Sequence, residues 1–342
     1  MNVAKRTVNQ TVNHMASNEV GKAAGNGAGN GVGSGTSAVP PASGRLRGTL
    51  RLNEPMANHV SWRAGGIAAR AYIPADIQDL SLFLASLAHD EPVSFVGLGS
   101  NLLVRDGGFR GTVVLMHKTR GAMRLQDGVV YAEAGIAAPK VARFAATHAM
   151  EGAEFLAGVP GTIGGALAMN AGCYGSETWD FVLRVRIIGR DGVIREQPRA
   201  DRDIGYRHCA PKEAGREQWF AGAWFRFRAG DAATARARIR ELLARRIAAQ
   251  PLDLPNAGSV FRNPPGDHAA RLIEACGLKG HAVGGARISD QHANFIVNPE
   301  RTARAADIEA LIAYAQAAVR SRFGIELVPE VRVIGDAEGA AP

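Results

Sequence analysis

The sequence predicts an α+β protein of two or three domains, and three observations point there. Its 342 residues exceed the usual size of one domain. The 46% of hydrophobic residues can bury more than one core. Short β-type runs alternate with amphipathic helical stretches, and the composition changes near Gly230.

In chain order, residues 21 to 44, GKAAGNGAGNGVGSGTSAVPPASG, are nearly all small or polar. They lack the apolar side chains that would offset the entropy of ordering a backbone, so residues 1–44 read as a disordered tail. DIQDLSLFLASLAH (76–89) sets Leu80, Phe83, Leu84 and Leu87 at helical spacing behind Asp76, a capping residue. The apolar runs VSFVGLG, LLVRDGGFRGTVVLM and VVYAEAG follow, broken at Gly107-Gly108 and Gly128, and read as strands. Pro139 opens a further helix, after which come a glycine-rich segment and the strands LRVRIIG, VIRE and AWFRFR. Beyond Gly230, Asp231 caps a helix whose apolar stripe is Ile239, Leu242, Leu243 and Ile247; its arginines, mostly off the stripe, read as a solvated face. Two more helices, DHAARLIEACG and AADIEALIAYAQAAVRSRFG, each stop at glycine, and the strands HANFIVN and LVPEVRVIG complete the pattern. The expected domains are therefore 45–230 and 231–335, with 336–342 as a second tail.

The net charge of +8 raises the question of nucleic acid. Lys5, Arg6, Lys22, Arg45 and Arg47 against Glu19 place half of that excess in the first 47 residues, and the remainder suits a protein with phosphorylated ligands. Nucleic acid is not the expected partner. Three widely spaced cysteines, Cys173, Cys209 and Cys276, form no CxxC pair and suggest a reducing, cytoplasmic setting. No apolar run is long enough to span a bilayer, so membrane insertion is not expected. The nine histidines show no HExxH or similar spacing, and no metal is expected.

Two glycine clusters carry the chemistry: Gly97-Leu98-Gly99-Ser100-Asn101 and Gly158-Val159-Pro160-Gly161-Thr162-Ile163-Gly164-Gly165. Glycine removes the Cβ and admits positive φ, so such loops let backbone N–H groups close on a phosphate. A Rossmann reading fails, because GLGSNL lacks the third glycine and is followed by a strand-like run instead of a helix. No GxxxxGK[ST] loop is present either. One such cluster alone is more often a tight turn; two in one β-rich unit favour a nucleotide ligand.

The ordered series NHVSWRAGG (58–66), VGLGSNLLVRDGGFRG (96–111), FLAGVPGTIGGALAMNAGCYG (155–175), GYR (205–207), AGSVFRNP (257–264) and PEVRVIG (329–335) resembles the UDP-N-acetylenolpyruvoylglucosamine reductases, the MurB family. The match spans residues 50 to 335. It implies a two-lobed FAD-binding domain of the vanillyl-alcohol oxidase (PCMH) type and a smaller α+β substrate-binding domain. FAD would be bound without a covalent link, with NADPH as co-substrate and UDP-N-acetylglucosamine enolpyruvate as the sugar reduced on the way to peptidoglycan. The implied cofactor residues are Gly97, Gly99, Ser100, Asn101, Leu102, Gly158, Val159, Pro160, Gly161, Thr162, Gly164 and Gly165, with Asn170 and Gly175 toward the isoalloxazine. A monomer is expected.

The resemblance also implies three catalytic residues. Arg207 would hold the substrate carboxylate, to which a guanidinium can bind bidentately. Ser259 would give a proton to the α-carbon, a task a weak acid can perform when held within hydrogen-bond reach. Glu330 would orient or polarise the intermediate. Without the resemblance, Ser259 after Gly258 reads as a turn serine, Arg207 as a surface ion-pair residue and Glu330 as one charge on a strand face. The short interval between Arg207 and Ser259 leaves no room for a tyrosine-bearing loop, and AGSVFRNP runs straight into a helix. This resembles the second type within the family, and no residue is assigned to cover the uridine diphosphate.

Overall fold

A computed structural model describes residues 38–40, 44–119, 121–213, 215 and 217–339. Most of the expected tail lies outside them. Within it, Ala38 and Val39 pair antiparallel with Arg195 and Ile194, so at least these two residues of the segment join a sheet.

The first lobe is a four-stranded sheet in the order Thr49–Pro55, Ile67–Ile73, Phe109–Leu115, Val93–Val96. The first pair is antiparallel and the other two are parallel. Alternation sends Val113 and Leu115 to one core, with Met56 and Val60, and Val114 to the other, with Leu80, Phe83 and Leu84. Both faces of this strand are covered, which is why TVVL reads as a continuous apolar run. The covering helix, α1 (Ile77–Ser86), starts where expected, the Asp76 carboxylate accepting the Asp79 N–H at 2.9 Å.

The second lobe is a six-stranded sheet ordered Ala38–Val39, Ile194–Pro198, Val182–Gly189, Gln218–Phe225, Val129–Glu133, Met123–Gln126, with every neighbour antiparallel. Helices α2 (Ala138–Thr147) and α3 (Ile163–Ala168) pack against it. So does α4 (Ala232–Ala249), through Ala235 and Ile239. The expected boundary at residue 230 therefore falls too early, because the side chains of α4 belong to the second-lobe core. Ile247, expected in the apolar stripe, is 64% exposed; α4 meets that core through Ala235, Ile239 and Leu243, earlier along the helix.

The C-terminal part holds α5 (Ala269–Ala275), α6 (Ala305–Phe323) and a small sheet of Ala282–Val283, Ala286–Ile288 and Ile296–Val297. α6 ends where expected, at Gly324 with φ +68, a conformation glycine adopts without Cβ strain. Trp62 of the NHVSWRAGG motif joins this part to the first lobe. Its buried indole N–H donates to the Ile296 carbonyl at 2.7 Å, and Asn298 Nδ2 donates to the Trp62 carbonyl at 2.9 Å. A buried tryptophan in such a joint is worth about 3–5 kcal/mol against alanine.

The C-terminal strand Arg332–Ile334 returns to the first lobe, parallel to Leu102–Val104. Glu330 lies just before that strand, and Val333, 38% exposed, lines a cleft.

Candidate flavin cleft and catalytic cluster

One cleft of about 900 Å³ runs between the lobes and on to the C-terminal part. That is large for a small-molecule pocket, for which roughly 300–1,000 Å³ is usual. Both glycine loops line it, and all twelve residues assigned to them as cofactor contacts, Gly97 through Leu102 and Gly158 through Gly165, are on its wall.

The loops are held by the protein and left bare toward the cleft. A Cβ on Gly97 would stand 2.3 Å from Thr162 Oγ1, so this glycine lets the two loops touch. Gly99 has φ +62, and a Cβ there would stand 2.2 Å from the His59 carbonyl. Ser61 fastens the same residue, its N–H and hydroxyl donating to the Gly99 carbonyl at 3.1 and 3.2 Å. Gly99 is thus required by its contact with the NHVSW segment. Gly161 and Gly165 are different: a Cβ on either would meet nothing closer than Ser100 Oγ at 3.4 Å or Thr162 Oγ1 at 3.9 Å. The N–H groups of Leu98, Gly99 and Ser100 have no protein acceptor among the described residues. A large cleft with bare backbone and unspent donors fits the diphosphate of FAD.

Three of the assigned residues are also tied into the scaffold. Asn101 lines the cleft, but its side-chain amide donates to the Glu330 carbonyl at 3.1 Å and its own carbonyl accepts from Arg332 N–H at 3.0 Å. It ties the cofactor loop to the Glu330 segment. Asn170 is 1% exposed and not on the wall: its amide donates to Glu177 Oε2 and the Gly205 carbonyl, and its Oδ1 accepts from Trp179 N–H. The Asn170 side chain is thus engaged on the scaffold from both ends of its amide. Gly175, with φ +84, makes the turn between Gly172–Cys173 and Ser176–Glu177, away from the cleft wall.

Arg207, Ser259 and Glu330 come from three separate segments and all reach the cleft. Arg207 occupies the tip of the hairpin formed by Arg202–Gly205 and His208–Pro211, at φ +53. A non-glycine residue there carries strain of roughly 1–3 kcal/mol, and such strain collects at functional sites. Its Nη2 donates to the Gly172 carbonyl at 3.2 Å. Its Nε stands 2.7 Å from Glu330 Oε1, without being aligned well enough to count as a hydrogen bond, so the contact is an ion pair. Burial pushes the Glu330 carboxyl above its ordinary pKa, and the neighbouring Arg207 and Arg262 only partly oppose this.

Ser259 is set by Gly258, at φ +75, and by a short antiparallel pairing in which Glu330 N–H donates to the Val260 carbonyl at 2.8 Å. Asn294 pins the next residue from both sides, accepting from Phe261 N–H and donating to its carbonyl. The Ser259 hydroxyl has no protein partner among the described residues. Arg262, from the same FRNP motif, donates to the Arg207 carbonyl at 3.3 Å, and Asn263 accepts from Ala269 N–H at the start of α5. The motif thus joins Ser259 to both partners.

Sequence reasoning missed two arginines on the wall, one buried and one half-buried. Arg202 is 5% exposed, donates to Gln197 and to Gln218, and lies 5.0 Å over the Phe220 ring. Arg246 is half-buried near the end of α4. No local signal distinguishes Arg246 from its exposed neighbours in a run of arginines.

Comparison with known proteins agrees with this arrangement. Residues 68–197 match the FAD binding domain model, and residues 250–334 match the C-terminal domain of UDP-N-acetylenolpyruvoylglucosamine reductase. The UDP-N-acetylenolpyruvoylglucosamine reductase of Thiobacillus denitrificans is 55% identical over 305 residues, covering 85% of this chain and 94% of that protein. The Legionella pneumophila enzyme is 51% identical over 295 residues, covering 85% and 94%. The crystal structure of the Thermus caldophilus enzyme (MurB) superposes with a TM-score of 0.70 at 29% identity, covering 84% of this chain and 99% of that one. With its two glycine loops on one cleft and its arginine, serine and glutamate gathered at that cleft, this chain belongs to the UDP-N-acetylenolpyruvoylglucosamine reductase family.

Proposed function

We propose that the chain reduces UDP-N-acetylglucosamine enolpyruvate to UDP-N-acetylmuramate with NADPH as donor and FAD, bound non-covalently, as carrier. The carrying observation is the convergence of Arg207, Ser259 and Glu330 on the cleft that the two glycine loops line. Bound FAD supplies the hydrogen and electron pair that NADPH gives up and the terminal enolpyruvyl carbon takes.

The chain's own residues do the rest. Arg207 receives the substrate carboxylate and stabilises the negative charge that grows on it as the double bond is reduced. Glu330 holds the guanidinium from one side and the Gly172 carbonyl from another, which fixes the fork before substrate arrives. The unpartnered Ser259 hydroxyl delivers the proton to the α-carbon. A positioned general acid of this kind contributes about 10²–10⁴-fold.

The short link from Arg207 to Ser259 and the immediate start of α5 after FRNP support assignment to the second type of the family. The free thiols of Cys173, Cys209 and Cys276 support a cytoplasmic setting, and the protein is proposed to act as a monomer. The test is spectral. The purified protein carries a flavin spectrum, NADPH bleaches it without dioxygen, and the enolpyruvyl sugar restores it. A colourless protein, or a reduced flavin that only dioxygen reoxidises, overturns the proposal.

A further inference from the structure

Arg262 touches the catalytic cluster without lining the cleft. It is half-buried and, unlike Arg207, Ser259 and Glu330, is not part of the wall. Its backbone belongs to the short antiparallel pairing that sets Ser259: Glu330 N–H donates to the Val260 carbonyl at 2.8 Å, and Arg262 N–H donates to the Val328 carbonyl at 2.9 Å. Asn294 holds the intervening Phe261 through both its N–H and its carbonyl. The guanidinium therefore springs from a fixed stretch of chain. It has no carboxylate within ion-pair distance among the described residues, and its one side-chain hydrogen bond runs from Nη2 to the Arg207 carbonyl at 3.3 Å.

That carbonyl is where a clamp is needed. Gly205 pairs with His208, so Tyr206 and Arg207 make a two-residue turn, and Arg207 is its second member at φ +53. Glycine or asparagine is usual at such a position, because a larger side chain there strains the backbone. Tyr206 is exposed and gives the tip little packing. The Arg207 side chain is held by the Gly172 carbonyl and Glu330, and the bond from Arg262 holds its backbone. The same guanidinium also acts on the other member of the pair. Arg207 and Arg262 are the two charged groups that oppose the effect of burial on the Glu330 carboxyl, so Arg262 favours the ionised form with which Arg207 pairs.

We propose that Arg262 is a positioning residue for reduction of the sugar, acting on no ligand itself but fixing the strained tip through the Arg207 carbonyl and placing a second positive charge beside Glu330. This rests on the reading of function given above. The two effects depend on separable properties. Any hydrogen-bond donor within reach serves the carbonyl, whereas the effect on Glu330 needs charge.

The test uses the full chain with its flavin, as wild type, Arg262→Lys, Arg262→Gln and Arg262→Met, with the two half-reactions followed separately as a function of pH. Wild type comes first: if the enolpyruvyl sugar does not reoxidise its reduced flavin, the reading of function fails whatever Arg262 does. Flavin content and the rate of reduction by NADPH stay at wild-type values in all three variants. In Arg262→Met, which keeps neither donor nor charge, reoxidation by the sugar slows about 10- to 100-fold on the pH plateau, the range expected for a hydrogen bond from a charged donor. The acid limb of that step also moves to higher pH, because a carboxyl with less positive charge beside it ionises only at higher pH. Arg262→Gln retains a donor and regains part of the plateau rate, but its acid limb stays with that of the methionine variant. Arg262→Lys keeps donor and charge and follows wild type in both respects. Equal slowing of the two half-reactions would make Arg262 a support of the fold and overturn the proposal. So would an acid limb that stays at its wild-type position in the methionine and glutamine variants, or a lysine variant as slow as the methionine one.

Discussion

Arg207 Nε and Glu330 Oε1 stand 2.7 Å apart at the edge of the cleft, with 18% and 16% of their side chains exposed. The carboxyl of this pair is nevertheless harder to ionise than an ordinary glutamate, because burial outweighs the attraction of the arginine. An acid whose pKa is raised by folding contributes stability below its unfolded pKa and loses that contribution as pH rises through the folded value. Ionising Glu330 therefore comes at some cost to the fold.

A neutral isostere at this position follows directly. Glu330→Gln at pH 7 to 8 should be at least as resistant to urea as wild type, while reoxidation by the enolpyruvyl sugar falls about 10²–10³-fold as Arg207 loses its orienting partner. Equal activity in the two proteins would reduce the pair to a structural contact.

Glycines of the cofactor loops should separate into two kinds. Gly161→Val projects into the cleft and should fold normally but purify with little FAD. Gly99→Val drives a branched side chain into the His59 carbonyl at a positive φ, and should lower stability by about 2–4 kcal/mol whether or not flavin is bound. Denaturant titration and the flavin-to-protein absorbance ratio read the two effects separately. Full flavin occupancy in Gly161→Val would move the diphosphate off this loop.

Acid sensitivity has an identifiable contributor in His117. Burial, with smaller effects from Lys118 and His59, pushes its pKa down to about 4. A histidine whose pKa is lowered by folding favours the folded state above its unfolded value of about 6.5, and that contribution is lost as pH falls toward 4. Wild-type urea midpoints should drop between pH 6.5 and 4.5, and His117→Gln should flatten part of that drop. An unchanged slope would assign the acid limb to other groups.

Much of this arrangement was legible in the residues because glycines and caps act locally. Asp76 caps its helix, Gly324 ends α6, and both glycine loops line the cleft, since each depends on neighbours within a few positions. What the residues do not disclose depends on distant packing. Asn170 and Gly175 sit within a flavin-like motif, yet one is occupied by Glu177, Gly205 and Trp179 and the other only turns a hairpin. The composition change near Gly230 suggests a boundary that α4 crosses, because Ile239 completes a core laid down earlier in the chain. Arg246 reads as part of a solvated face, since periodicity assigns a direction along one helix and cannot say that the Gly172–Cys173 hairpin docks on it through Tyr174.

The central claim is that Ser259 acts only in the second half-reaction, and stopped-flow absorbance of Ser259→Ala tests it most directly. The variant loses one hydroxyl that contacts nothing else among the described residues, so flavin content and the rate of reduction by NADPH should match wild type. Reoxidation by UDP-N-acetylglucosamine enolpyruvate should slow about 10²–10⁴-fold. Equal slowing of both steps, or no slowing of either, would contradict the assignment of Ser259 as the proton donor.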